Sequence, residues 1–299
     1  MKNLDLFGNE IIEPNSLKRK YLIPPFSIFD TASGDWQNRK NKWKSLGIES
    51  EVGRQNKNSY QRMTGSRQLI NLKSNKTTTK NPYVSIFDPV LCEIIYNWFV
   101  IPNGTILDPF AGGSVRGIVA NYLDYQYTGI DLKEEQILSN QNQALRIIPD
   151  NIPEWIIGDS YTELDKFDKT FDFIFSCPPY YNLEVYSNNI KDLSNMDYLN
   201  FYIAYKAIIL KCCKLLKDNR FACFVVGNIR DKDGFIIDLV GITITLFEQC
   251  GLRFYNEIIL KNQATTAALR ADNNMTYKKV VKIHQNVLVF CKGNPKFID

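Results

Sequence analysis

Residues 171–180 hold the clearest chemical pattern in the chain. An apolar run from Phe171 to Phe175 leads through Ser176 and Cys177 into Pro178, Pro179 and Tyr180. Successive prolines keep the backbone extended and fix the direction of the Pro178 carbonyl, and an aromatic ring follows at once. A fixed acceptor beside a ring suits chemistry on a planar amine, whose lone pair is delocalised into its own ring system. To make that amine a nucleophile, its N–H bonds must be drawn toward acceptors and its lone pair aimed at an electrophilic carbon. Tyr180 is placed to stack on such a base. Cys177, Pro178, Pro179 and Tyr180 are therefore the candidate catalytic residues. A strand ending in an ordinary Pro-rich turn has the same composition, so a second motif has to decide.

The second motif is Thr-Ile-Leu-Asp-Pro-Phe-Ala-Gly-Gly-Ser-Val-Arg-Gly over 105–117, an apolar strand and a Gly-rich turn that opens the helical pattern Val115, Ile118, Val119, Leu123. Glycines there let a ligand approach the backbone and let the next helix start beside it. The spacing is neither that of a dinucleotide fingerprint nor that of a P-loop, since Ile118 follows Gly117 where a P-loop needs lysine.

Taken together, the two segments resemble the N6-adenine and N4-cytosine DNA methyltransferases, particularly the phage-type DNA modification methylases, over most of residues 83–293. The resemblance implies S-adenosyl-L-methionine as cofactor. By position, Asp108, Phe110, Gly112 and Gly113 match the residues that hold its methionine part and sulfonium, Asp131 the ribose ligand, and Asp159 the acid that meets the adenine amine. Residues 85–95 match the segment that closes over the cofactor. For Asp131 and Asp159 taken singly, a helix N-cap is an equal reading. Their places at successive strand ends favour ligands.

Two positions depart from the family pattern. The turn reads Ala111, Gly112, Gly113, Ser114 where the family has Gly-Ser-Gly, and Cys177 stands where it carries Asp, Asn or Ser. A thiol sulfur is a weak acceptor unless ionised. Ser176 cannot take over, because adjacent strand residues face opposite ways. A cysteine nucleophile on a cytosine ring carbon fits poorly, since C5 methyltransferases place that cysteine after their proline.

The elements that must position these residues alternate. Strands are expected at 105–110, 126–131, 154–159, 171–176 and 221–227, and helices at 114–123, 133–145, 196–217 and 236–250. Runs at 254–260 and 285–291 have no helical pattern between them and should pair antiparallel. The expected fold is α/β: a class I S-adenosylmethionine-dependent methyltransferase fold with a mostly parallel, doubly wound seven-stranded sheet and an antiparallel last strand. A basic N-terminal extension precedes it.

Charge divides the chain of 299 residues more tellingly than its net +4. Residues 1–80 carry 15 Lys or Arg against seven Asp or Glu, leaving residues 81–299 at −4. The expected organisation is a basic extension and polar linker over 1–80, able to contact DNA, and a catalytic domain over 81–299. In the extension, Lys and Arg alternate with Trp36 and Trp43, which suits phosphates and unstacked bases. Residues 53–80 read as the linker. The segment 262–283, with Arg270, Lys278, Lys279 and Lys282, reads as a recognition loop or, more cheaply, a disordered tip. Residues 181–186 should line the base pocket, and His284 reads as structural.

Seven cysteines without C-x-x-C, and a single histidine, argue against a disulfide framework, a zinc deaminase or any metal centre. No membrane segment or signal peptide is legible, so a cytoplasmic protein is expected. DNA is the expected partner, and the resemblance allows a cognate restriction nuclease. The rival readings are an RNA base amino-methyltransferase, a protein glutamine methyltransferase, and a catalytically degenerate DNA-binding protein of the same fold. Adenine and cytosine targets are not separated, because position 177 carries neither usual residue.

Overall fold

The computed structural model describes residues 14–48, 87–181, 189–262 and 267–298. The linker residues 53–80 and most of the 181–186 loop fall outside them. Among the described residues ten strands form: β1 (Ile28–Asp30), β2 (Thr105–Asp108), β3 (Gln126–Asp131), β4 (Glu154–Ile157), β5 (Phe171–Ser176), β6 (Leu216–Val226), β7 (Ile229–Arg230), β8 (Ile236–Ile237), β9 (Arg253–Lys261) and β10 (His284–Lys292). Eight of them make one sheet in the order β1-β9-β10-β6-β5-β2-β3-β4. All neighbours are parallel except β10, which is antiparallel to both β6 and β9. This is the class I methyltransferase sheet expected above, with one strand more.

All six residues of β5 are buried, as a central parallel strand with helices on both faces requires. The helices are α1 (Pro14–Tyr21), α2 (Gly34–Ser45), α3 (Pro89–Phe99), α4 (Val115–Tyr122), α5 (Glu134–Ile147), α6 (Ser160–Glu163), α7 (Tyr198–Leu215), α8 (Leu239–Gln249) and α9 (Ala267–Met275). Two apolar clusters fill the space. One holds α2, α3 and α4 side chains against Phe173, Phe175 and Val225, and the other holds α7 and α8 side chains against Ile174, Phe224 and Phe290. No helix among the described residues is long and apolar enough to cross a membrane.

The extra strand comes from the basic extension. β1 pairs parallel with β9, Ile28 to Ile259, and covers an edge that would otherwise expose unpaired backbone groups. Trp36 and Trp43 of α2 are 2% and 5% exposed. Trp36 Nε1 donates to Asp88 at 3.2 Å and Trp43 Nε1 to Glu93 at 2.9 Å. Lys40 and Arg39 pair with the same two acids at 2.7 and 2.6 Å. The expectation that these rings serve unstacked bases is therefore corrected: a helix with tryptophans seven residues apart has one buried stripe. Arg39 and Lys40, between the two rings, meet the acids of α3.

The other difference lies in 262–283. Part of it is ordered rather than a disordered tip: 267–275 form α9, and Lys279 lies against Gly234 of the small β7–β8 hairpin.

Candidate active site

β2 and β5 are hydrogen-bonded neighbours, Ile106 beside Phe173 and Leu107 beside Ile174. Their carboxyl ends therefore place the Gly-rich turn and the Cys-Pro-Pro-Tyr segment side by side, about 5 Å apart. Ser176 Oγ donates to Asp108 Oδ1 and ties the two tips together. Ser176 is fully buried and Cys177 partly exposed, the alternation expected of successive strand residues.

Asp108 is the hub of the β2 tip. It is fully buried, and its two oxygens take four donors. Oδ1 accepts from Ser176 Oγ and, at 3.1 Å, from Phe110 N; Oδ2 accepts from Arg116 Nε at 2.6 Å and Tyr127 Oη at 2.7 Å. Arg116 Nη2 also donates to the carbonyls of Phe110 and Ala111, at 2.6 and 2.9 Å. Its guanidinium lies over the Phe87 ring, 4.5 Å from the centroid. Burial opposes that charge, but Asp108 together with the neighbouring Tyr127 and Cys177 outweighs it and holds the guanidinium pKa above its ordinary value. The same burial and the Asp108 charge keep Tyr127 protonated far above the usual phenol range. Asp108 thus braces the turn from behind, while Phe110, Gly112 and Gly113 are the half-exposed face of it. Gly112 has φ +52, a conformation that costs glycine little.

Asp131 ends β3 half-buried. It accepts from Gly112 N at 2.8 Å and Lys133 N at 2.9 Å, which couples the β3 tip to the turn. Asp159 caps α6 by accepting from Tyr161 N at 2.9 Å, so the N-cap reading is realised at that residue. Ser160 Oγ donates to the Pro109 carbonyl, and the β2, β3 and β4 tips form one cross-bonded rim.

Across the rim, Tyr180 is held from beneath. Its Oη accepts from Gln285 Nε2 at 2.7 Å and donates to the Val225 carbonyl at 3.4 Å, and Cys177 Sγ lies 3.9 Å from it. The next residue, Tyr181, has φ +45, an uncommon conformation for a non-glycine, and packs on Tyr198 and Phe201. A Cβ built on Gly227, just past β6, would stand 2.7 Å from Lys282 Nζ and 3.7 Å from Tyr180 Cε2. Lys282 therefore borders the Tyr180 ring, donating to the Asn228 carbonyl at 3.2 Å, and burial lowers its pKa. His284 is half-buried two residues on.

Several residues of this arrangement are absent from the sequence reading. Arg116 was legible as an arginine inside an apolar helical stripe. Gln136, Asn140 and Gln143 of α5 are 3%, 1% and 1% exposed. Asn140 Nδ2 donates to Gly112 O at 2.7 Å, Gln143 accepts from Ser114 Oγ at 2.7 Å, and Gln136 Nε2 donates to Asn140 Oδ1 at 2.9 Å. Their i, i+4, i+7 spacing puts amides where a helix normally points apolar groups. Gln285 carried no local signal, because its partner lies 105 residues away. No two cysteines are joined, and no cluster with metal-ligand composition occurs among the described residues.

No family model matches the chain. It is 29% identical over 150 residues to the type II beta methyltransferase M.BslI of Bacillus sp. (strain NEB-606), a match covering 46% of this chain and 16% of that protein. The chain therefore spans about one sixth of the length of the curated relative it matches. Among solved structures it is similar to TrmN from Thermus thermophilus, with TM-score 0.46, 15% identity and coverage of 69% of this chain and 49% of that one. It is also similar to a putative RNA methyltransferase, PH1948, from Pyrococcus horikoshii, with TM-score 0.46, 14% identity and coverage of 77% and 98%.

Proposed function

We propose that this protein is an S-adenosylmethionine-dependent methyltransferase that modifies an exocyclic amine of a flipped DNA base, N6 of adenine or N4 of cytosine. One observation carries the reading: the Gly-rich turn and the Cys-Pro-Pro-Tyr segment end adjacent strands and are tied by the Ser176–Asp108 hydrogen bond. The similarity to M.BslI supports it.

The residues at the rim fit the cofactor's chemistry. Gly112 and Gly113 let a ligand lie against the backbone, Phe110 offers an apolar face, and Asp131 and Asp159 offer carboxylates suited to ribose hydroxyls and an amino group. Bound there, S-adenosyl-L-methionine supplies an electrophilic methyl group on a sulfonium. The protein's part is positioning. Tyr180, fixed by Gln285, stacks on the base. The Pro178 carbonyl and Cys177 Sγ accept the amine's N–H bonds and turn its lone pair toward the β2 tip. As the new N–C bond forms and the methyl leaves its sulfur, the nitrogen sheds one proton, which passes to water.

The test is transfer of isotopically labelled methyl to duplex DNA and, separately, to structured RNA, followed by digestion to nucleosides and mass spectrometry. N6-methyladenine or N4-methylcytosine in DNA is the expected product. Label confined to RNA would replace DNA by RNA as substrate. No product with the native chain but product with Cys177→Asp would identify a degenerate enzyme.

A further inference from the structure

With Trp36 and Trp43 buried, the aromatic and cationic surface that a nucleic acid needs lies elsewhere. We propose that the β7–β8 hairpin, α9 and the segment after it form one wall that grips the DNA strand beside the target base. In this wall Lys278, Lys279 and Lys282 take phosphates and Phe235 and Tyr277 stack on bases. The inference rests on the methyltransferase reading above and names the surface by which that site meets its substrate.

Both insertions leave the sheet at its carboxyl end, the hairpin after β6 and α9 after β9, and so they flank the candidate active site. They are joined to each other. Lys279 crosses Gly234 at the hairpin tip so closely that a Cβ there would collide with its amine. Arg230 Nη1 closes the hairpin on the Gly234 carbonyl at 2.6 Å. Asp231 is turned inward, accepting from Asp233 N and Phe235 N at 2.9 and 2.8 Å. The inner end of the wall is Lys282, which borders Tyr180 across Gly227.

What this wall presents is unusual for a free surface. Phe235, Tyr277 and Val280 are each 73% exposed, with Ile236 and Leu269 at 59% and 64%. Apolar groups of this size are normally withdrawn from water, and an exposed group of them marks a binding surface. Residues 267–283 carry four cations against Asp272 alone, on a region, 81–299, whose net charge is −4. Lys279 already lies 5.7 Å from the Tyr277 ring centroid, so charge and ring are interleaved. Positive charge focused on the otherwise negative region 81–299, with protruding rings between the cations, complements a phosphate backbone with accessible base faces.

Two double variants of the full chain test this, with fluorescence anisotropy on a labelled mixed-sequence duplex carrying a short single-stranded gap, across a salt series. Lys278→Gln with Lys279→Gln should lower the slope of log affinity against log salt by about 1.8, the share of two phosphate contacts. Phe235→Ala with Tyr277→Ala should weaken binding roughly tenfold or more per ring at constant slope. Calorimetry with S-adenosyl-L-methionine should give wild-type uptake in both, which shows the fold and the cofactor rim intact. A wild type that methylates DNA, with both variants keeping its affinity and slope, overturns the wall and leaves the enzyme reading standing. So does loss of self-association in sedimentation with DNA binding unchanged, which would assign the surface to a second copy of this chain. A wild type that binds no duplex overturns both.

Discussion

Replacing Arg116 by methionine tests the column of contacts beneath the candidate site. The substitution keeps much of the side-chain volume but removes a guanidinium that is 4% exposed and paired with a carboxylate that is fully buried. It leaves Asp108 with Tyr127, Ser176 and the Phe110 amide as donors but no countercharge. Breaking one side of a buried ion pair costs about 3–5 kcal/mol. For a chain of this length each kcal/mol lowers the melting temperature by about 2 °C, so a fall of about 6–10 °C is expected. The carbonyls of Phe110 and Ala111 lose their donor as well, which frees the turn that carries Gly112. Uptake of S-adenosyl-L-methionine should therefore weaken by about tenfold or more, the equivalent of about 1.4 kcal/mol for each factor of ten. The decisive measurement is the cycle with Asp108→Asn. Asparagine keeps one accepting oxygen for Ser176 and Phe110 N, and the Tyr127 hydroxyl can turn to accept from its amide N–H, so no buried charge is left and the double variant should be more stable than Arg116→Met alone. Strict additivity of the two losses in urea unfolding would show that the pair is not coupled and would refute the reasoning.

Four further outcomes follow from the same geometry. Trp43→Phe loses the 2.9 Å bond to Glu93 and should cost about 1–3 kcal/mol in urea unfolding while DNA affinity is unchanged; weaker DNA binding at wild-type stability would restore the base-contact reading of α2. Gly129→Ala should cost about 3 kcal/mol or more, because its Cβ would meet Tyr127 Cε1 at 2.6 Å, Tyr127 Oη at 2.7 Å and Ala111 Cβ at 2.8 Å, and a wild-type melting temperature would contradict this. At Gly34, the first residue of α2, a Cβ meets nothing within 4 Å, so alanine should stabilise by about 0.4–1 kcal/mol in the same assay. His284 is the single histidine, so its ring proton titrates as one resolvable NMR signal. Burial first, then the Lys282 charge, lower its pKa against the opposing pull of Glu257, and the midpoint should fall below 6.5 and rise in Lys282→Gln. Its contribution to stability is then full above about pH 6.5 and is lost as pH falls from there through the folded midpoint; a midpoint at or above 6.5 would contradict the placement.

The sequence exposed the central strands because a strand covered on both faces is a continuous apolar run, as in 171–176, and observed boundaries differ from the expected ones by few residues except at β6. β6 is counted from Leu216 because that residue pairs with Phe171, although Asn219, at φ +57, breaks the register before the regular pairing resumes at Phe221. The extension was misread at α2 for a physical reason. Charges alternating with tryptophans look the same whether the cations face phosphates or the acids of a neighbouring helix, and Asp88 and Glu93 lie about 50 residues downstream. β1 was invisible because three residues carry too little periodicity.

The candidate site divides along the same line. Cys177, Pro178, Pro179, Tyr180, Phe110, Gly112, Gly113, Asp131 and Asp159 could be named because each belongs to a local motif at a strand end. The groups that hold them, Arg116, Gln285 and the amides of α5, act across the fold and leave no motif. Asp108 shows how the two kinds meet. Its motif position suggests a ligand, but a buried carboxylate requires compensation, and Arg116, Tyr127 and Ser176 supply it from three elements. A carboxylate compensated that fully projects little field into the pocket. On the proposed reading the sulfonium then lies against Phe110 and the turn backbone while Asp131 and Asp159 hold the ribose and the amino group, and removing either carboxylate should weaken cofactor uptake without the loss of fold stability expected at Arg116.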